Sequence, residues 1–198
     1  MLRSTLLVML FAFSSAAFAE DFSYNNVNLT FGQLTIDDPA GDADADMIGF
    51  NGSYEINESF FGFAGYSTGD LEDGGPISAD VELWRIGVGY HMPLTENVDL
   101  VTSLSYEFVD ISISGFPGAD DSGLGAALGL RYAMSESIEV NAGVSYADRG
   151  DLEPVIDETL LNLGVLYNFN DTFSAGVSGE WGDDMSTYTL GGRFYFGD

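Results

Sequence analysis

The chain has 198 residues, with 32 acidic side chains against five arginines and no lysine, a formal charge of −27, and no cysteine. So acidic a chain is excluded from binding nucleic acid, which relies on Lys and Arg contacts to phosphate, and no disulfide holds it together. Its 25 glycines, 15 phenylalanines and 10 tyrosines are the composition of strands and tight turns, not of a disordered acidic segment.

The chain opens with Arg3, the apolar run Leu6 to Phe13, and small residues ending Ala17-Phe18-Ala19. This layout predicts a secretory signal peptide over 1–19, cleaved before Glu20. The apolar run is shorter than the roughly 20 residues a spanning helix needs, and no later segment reaches that length either. Residues 20–198 then form one domain carrying four arginines and all 32 acids.

From Phe22 onward, polar and apolar residues alternate with period two in segments of about ten residues, the pattern of transmembrane β-strands. Trp84, Ile86, Val88 and Tyr90 share one face of their strand, with Arg85, Gly87, Gly89 and His91 on the other. Leu124, Ala126, Leu128, Leu130 and Tyr132 oppose Gly123, Gly125, Ala127, Gly129 and Arg131. Ile138, Val140, Ala142, Val144 and Tyr146 oppose Glu139, Asn141, Gly143, Ser145 and Ala147.

A loose repeat sets the strand count. Tyr54, Tyr90, Tyr132 and Tyr167 are each followed by a short polar turn: Asn57-Glu58, Pro93 to Asn97, Ser135-Glu136 and Asn170-Asp171. Four hairpins, a strand near 22–34 and another near 186–196 predict ten strands in a single antiparallel up-and-down barrel. Eight is the alternative, because the first strand and Phe60–Ser67 alternate poorly. The other connections are acidic and longer, near Thr35–Asp46, Gly69–Ala79, Ile111–Asp121, Arg149–Ile156 and Gly182–Met185. Short turns at one end and long loops at the other are the layout of outer-membrane barrels.

Periodicity alone does not separate this from a soluble barrel with an apolar interior. The face opposite the large apolar residues is Gly, Ser, Asn and Ala with scattered Arg and Glu, and burying those charges in a dry core is costly. Aromatics also form two bands. One, near the short turns, holds Tyr54, Tyr90, Tyr132, Tyr167, Phe169 and Phe173. The other, near the long loops, holds Phe50, Trp84, Tyr106, Phe108, Tyr146, Trp181 and Tyr188. Such bands mark the two membrane interfaces, so the apolar face points outward to lipid.

On these residues the chain resembles the small outer-membrane β-barrel proteins of Gram-negative bacteria, the OmpA-like and OmpW-like barrels, over all of 20–198. The resemblance implies export through the periplasm, residence in outer-membrane lipid and lipopolysaccharide, insertion by the barrel-assembly machinery, and a monomeric state. Many members end on an aromatic residue; here Phe194 and Phe196 are followed by Gly197-Asp198.

The candidate site is the inward charge network of Arg85, Arg131, Arg193, Glu55, Glu107, Glu139 and Glu180. Arg131 is expected opposite Glu139, with Arg193 and Glu55 at a similar depth and Arg85, Glu107 and Glu180 higher. A ten-stranded barrel is narrow, so these charges are expected to interlock. The reading is a structural, membrane-integrity barrel with a lumen mostly closed by Arg–Glu pairs; the alternative is a narrow or gated pore for cations or small solutes.

Asp37, Asp38, Asp42, Asp44 and Asp46 crowd the first acidic loop, and Asp70, Glu72 and Asp73 the second. The spacing of Asp42, Asp44 and Asp46 suggests a weak, loosely bound Ca²⁺ or Mg²⁺, but the glycine and distant glutamate of a full calcium loop are missing. No other cofactor is expected. His91 is the single histidine, placed beside a short turn, and no nucleophile-and-base spacing accompanies it, so an enzyme is not expected; a lipid A-modifying enzyme or an adhesin ranks lower.

Overall fold

The computed structural model describes residues 22–36, 43–72, 78–113, 115, 117–148 and 158–197. The leader at 1–19, Asp37, Asp38, Asp42, Asp73 and Arg149 lie outside them. Ten strands follow in order: β1 (Asn26–Ile36), β2 (Ala43–Asn57), β3 (Phe60–Glu72), β4 (Ser78–Thr95), β5 (Val98–Ile113), β6 (Ala119–Ser135), β7 (Ile138–Asp148), β8 (Glu158–Asn168), β9 (Phe173–Trp181) and β10 (Met185–Tyr195). Each pairs antiparallel with the next, and β10 closes on β1 from Asn26↔Tyr195 to Ile36↔Met185, giving a closed ten-stranded barrel. The eight-strand alternative therefore falls. Closure leaves no strand edge unpaired in lipid, where an unsatisfied backbone group is costly.

The first strand and Phe60–Ser67 are full members of the wall. β3 alternates poorly because Phe61 and Phe63 point inward, where the sequence pattern placed aromatics only on the lipid face. Room for their rings comes from the neighbouring strand: a Cβ on Gly89 would meet the Phe61 ring, and one on Gly87 the Phe63 ring.

The predicted turns are confirmed to within a residue or two. Their opening residues share a device: the Asn57 and Asn170 carboxamides each accept two backbone N–H bonds from the residues two and three ahead. In the next hairpins the Thr95 and Ser135 hydroxyls accept the N–H two residues on. Four of the five opposite connections are shorter than expected, because strands run on into them; the one between β7 and β8 is not. β4, β5 and β6 have 18, 16 and 17 residues, well beyond the 9–11 or so needed to cross a membrane, whereas β7 to β10 have 9 to 11. The barrel thus has a tall side and a short side.

The faces sort as the period-two pattern requires. Leu124 is 70% exposed and Ile86 64%, whereas Arg131 is 8% exposed and Glu139 3%. A wall that exposes its large apolar residues and buries its ionic ones is solvated by lipid outside and lined by polar groups within. Hydrogen bonds anchor the aromatic band near the long loops: Trp181 Nε1 donates to Tyr188 Oη at 3.0 Å and Tyr106 Oη to Ser122 Oγ at 2.6 Å.

Candidate functional site

The lumen is interrupted at its short-turn end. Before entering β1, the segment Phe22–Asn25 folds across the barrel mouth and is held by strands far from its own. The Glu55 carboxylate on β2 accepts from Tyr24 N at 2.9 Å and from Asn25 Nδ2 at 3.1 Å, and Asn25 Oδ1 accepts the Glu55 N–H at 2.8 Å. Tyr24 Oη donates to Asp99 Oδ2 on β5 at 2.9 Å. Its ring stacks on His91 of β4, centroids 4.0 Å apart, and on Phe61 of β3 at 4.7 Å. From β6, the side of the barrel opposite β1, Arg131 Nη1 donates to the Ser23 carbonyl at 3.2 Å. The Arg131 guanidinium also lies 4.6 Å from both the Phe22 and the Tyr24 ring centroids. Desolvated cation–π contacts of this kind contribute up to about 2 kcal/mol each.

Beneath this strap lies an ionic layer. Arg131 Nε and Nη2 grip the Glu139 carboxylate at 3.1 and 2.8 Å, a two-pronged pair, and Arg193 Nη1 approaches the same carboxylate at 3.7 Å. Arg193 also donates to Asn28 Oδ1 at 2.7 Å and to Tyr195 Oη at 3.3 Å. The layer separates a cavity of about 410 Å³ at the short-turn mouth from cavities of about 430 and 200 Å³ deeper in the lumen, and Arg131 borders all three.

The expected network is therefore only partly assembled. Arg131 and Glu139 are paired, but diagonally: Arg131 faces Asn141 and Glu139 faces Ala133, because the turn falls at 136–137 rather than at Ser135-Glu136. A shift of two residues keeps each side chain on its face. Glu55 pairs with no arginine; the strap takes its carboxylate. Arg85 and Glu107 are direct cross-strand neighbours, yet they do not interlock. Arg85 leans the other way, its guanidinium 6.0 Å from the Phe63 centroid, and Glu107 Oε1 accepts from Ser105 Oγ at 2.9 Å. Glu180 faces the lumen from β9 and borders the same cavities as Arg85.

Four floor residues escaped the sequence reading as site members: Tyr24, Phe61, Asp99 and His91. Strand parity places His91 inward beside Arg85, and the same parity, counted from Leu100, puts Asp99 inward too. Tyr24 carries no such signal, because it precedes the first alternating segment. His91 Nδ1 lies 3.3 Å from Asp99 Oδ2, within a floor that contains no nucleophile-and-base array.

At the long-loop end the acids adopt a different arrangement. Asp44 and Asp46 sit within β2 rather than in a loop, and Asp42 lies outside the described residues. Asp44 accepts from Thr35 Oγ1 at 2.7 Å. Among the described residues no group of three or more His, Asp or Glu is placed to hold a metal ion. Instead, the outward faces of the tall strands form a carboxylate collar above the aromatic band. Asp46 faces Asp70, which faces Asp80; Glu82 faces Asp110, which faces Asp120. A hydrogen bond to Asp70 raises the Asp80 carboxyl above its ordinary range, aided by partial desolvation and the charges of Asp70 and Glu82.

Comparison with known proteins matches residues 4–169 to the family described as outer membrane protein beta-barrel domain. Among solved structures, the translocator domain of the autotransporter NalP from Neisseria meningitidis is similar at 10% identity, covering 89% of this chain and 90% of its own, with a TM-score of 0.56. Neisserial surface protein A has 14% identity, coverages of 88% and 98%, and a TM-score of 0.48. Ail, the attachment invasion locus protein of Yersinia pestis, has 14% identity, coverages of 88% and 100%, and a TM-score of 0.45. Comparison with curated protein sequences gives no match. At these identities the likeness concerns the fold alone.

Proposed function

The chain belongs to the outer membrane protein beta-barrel family and so resides in the bacterial outer membrane; from that premise we propose that it is a non-conducting structural barrel, sealed at its periplasmic end. The strap of Phe22–Asn25, with the Arg131–Glu139–Arg193 layer beneath it, is the observation that carries this reading. Both lie at the short-turn end of the lumen, and among the described residues Arg131, Arg193 and Glu139 each have an opposite charge within 4.0 Å. An ion crossing there must break contacts that the fold has already satisfied. The short-turn end is assigned to the periplasm because barrels of this kind keep short turns there and longer connections outside.

The other roles follow from the same placement. Residues 1–19 act as the export signal for passage through the periplasm. Phe194, on the outward face of β10, presents an aromatic for recognition by the assembly machinery. The collar lies level with lipopolysaccharide headgroups and meets their phosphates through loosely held Ca²⁺ or Mg²⁺, since both surfaces are anionic. No catalytic role is assigned to His91, which serves as a stacking partner for Tyr24.

The test is single-channel recording of the refolded chain in a planar bilayer. The native barrel is expected to be silent. Tyr24→Ala, which removes the strap's ring and its bond to Asp99, is expected to give discrete steps while keeping the heat-dependent gel shift of a folded barrel. Steady cation-selective conductance from the native protein would discard the sealed reading in favour of a narrow pore.

A further inference from the structure

Arg85 is a lumenal cation that the sealed floor does not use. Among the described residues, Arg131 and Arg193 both have a carboxylate within 4.0 Å and Arg85 has none. The reason is its direction. Gly65 on β3 lacks the side chain that would block it: a Cβ there would lie 3.3 Å from Arg85 Nε and 3.3 Å from Asn51 Cβ. The Arg85 side chain therefore lies across Gly65 towards β2, away from Glu107 on β5. It ends at the junction of four lumenal cavities, of about 430, 260, 200 and 290 Å³.

The cavity of about 200 Å³ is bordered by Arg85, Arg131 and Arg193 together with Asn28, Asn51 and Asn141. All three arginines border it and, among the described residues, no carboxylate does; Arg131 and Arg193 share Glu139, while Glu107 and Glu180 border the adjoining cavities that Arg85 also lines. In a chain with a formal charge of −27, a local excess of cation is the reverse of what composition dictates. A guanidinium that is exposed to a confined lumen and has no carboxylate partner among the described residues favours an oxyanion, and its planar fork of donors suits a carboxylate. Asn28 is already engaged, its Nδ2 on the Asn26 and Asn51 oxygens and its Oδ1 on Arg193, so Asn51 and Asn141 are the amides left to meet hydroxyl groups. With water occupying about 30 Å³, the space next to Arg85 is that of a few waters or one small solute.

We propose that the lumen above the ionic layer is a cup for a small hydroxylated carboxylate entering from the long-loop side. Its carboxylate rests on Arg85 and its hydroxyl groups on Asn51 and Asn141. The proposal deepens the sealed-barrel reading and rests on it in one respect: with the floor closed, the solute is held rather than passed. The collar repels anions, but at physiological salt its field is screened within about 8 Å. A monoanion therefore reaches the cup where a polyanion does not.

The experiment uses the full barrel, residues 20–198, refolded in lipid nanodiscs with ¹⁵N label. The Arg85 Nε–H resonance is assigned by its loss in Arg85→Gln. Sodium gluconate, its neutral counterpart sorbitol, and sodium phosphate are titrated at constant ionic strength. Saturable movement of the Arg85 resonance with gluconate, and none with sorbitol or phosphate, is the expected result. Arg85→Gln should weaken gluconate binding about 10- to 100-fold, read on the asparagine side-chain amides, and Arg85→Lys should retain part of it. Arg85 has no ion pair to lose, and the heat-dependent gel shift verifies that both variants fold.

An equal response to sorbitol, a response to phosphate alone, no saturable shift, or undiminished binding by Arg85→Gln would overturn the site. The two readings fail separately. A conducting native barrel whose Arg85 resonance still saturates removes the seal and leaves the site; a silent barrel with an inert Arg85 does the opposite.

Discussion

The two ends of this barrel handle charge in opposite ways. At the short-turn end opposite charges meet inside the wall, where water is scarce, and each finds a partner: Arg131 and Arg193 on Glu139, Tyr24 on Asp99, the strap amides on Glu55. At the long-loop end like charges meet outside the wall: Asp46 against Asp70, Asp70 against Asp80, Asp110 against Glu82 and Asp120. The difference is one of dielectric. A buried charge without a partner is expensive, so each floor charge meets an opposite one; a carboxylate in water is cheap, so the collar accumulates repulsion at little cost.

Breaking the floor should therefore have the largest effect. Glu139→Gln strands two guanidiniums and is expected to cost about 3–5 kcal/mol, read as a lower urea midpoint for the refolded barrel. Gly89→Ala pushes a methyl into the Phe61 ring and should cost about 1–3 kcal/mol, with the strap loosened as Phe61 moves off Tyr24; protection of the Tyr24 amide from hydrogen exchange would fall. If Gly89→Ala left both stability and protection unchanged, the aromatic packing would not be what fixes the floor.

The collar should respond weakly and with the other sign. Asp110→Asn relieves repulsion from Glu82 and Asp120 and should raise stability by about 0.2–1 kcal/mol at low salt, less as salt increases. A loss of stability would mean that these carboxylates carry a bound cation. The smallest effect is on pH dependence. Asp80 is held above its ordinary range by Asp70, so as pH falls from neutral the folded barrel takes up this proton before the unfolded chain does. The collar's share of stability thus grows on acidification, and Asp70→Asn should abolish that increment.

Most of the wall was legible because its code is local. Period two, the tyrosine before each turn and the Asn, Thr or Ser opening it are read from a few neighbouring residues, and they delivered ten strands and the lipid face. The floor was legible only in part. Arg131 and Glu139 could be matched because one hairpin joins them, although a turn placed later than expected sets them diagonally. Tyr24 is held by residues 31 to 107 positions away, and nothing in Phe22-Ser23-Tyr24-Asn25 itself announces where it docks. All but the β7–β8 connection are shorter than their acidic runs suggest, because strands that rise above the membrane carry acids as readily as loops do.

The strap has a consequence for the order of assembly. Its holders come from β2, β3, β4, β5 and β6, and Arg131, its farthest holder, also needs Glu139 and, through it, Arg193 on β10. Glu55 is brought in by the β1–β2 pairing alone, but Arg131 and Arg193 do not lie at their final distances until the first and last strands have met. Contacts of such sequence separation form late, so the strap is a latch that engages only on a finished ring. A barrel stalled one hairpin short would have walls but no stopper, and leakage would be the mark of unfinished molecules rather than of mature ones.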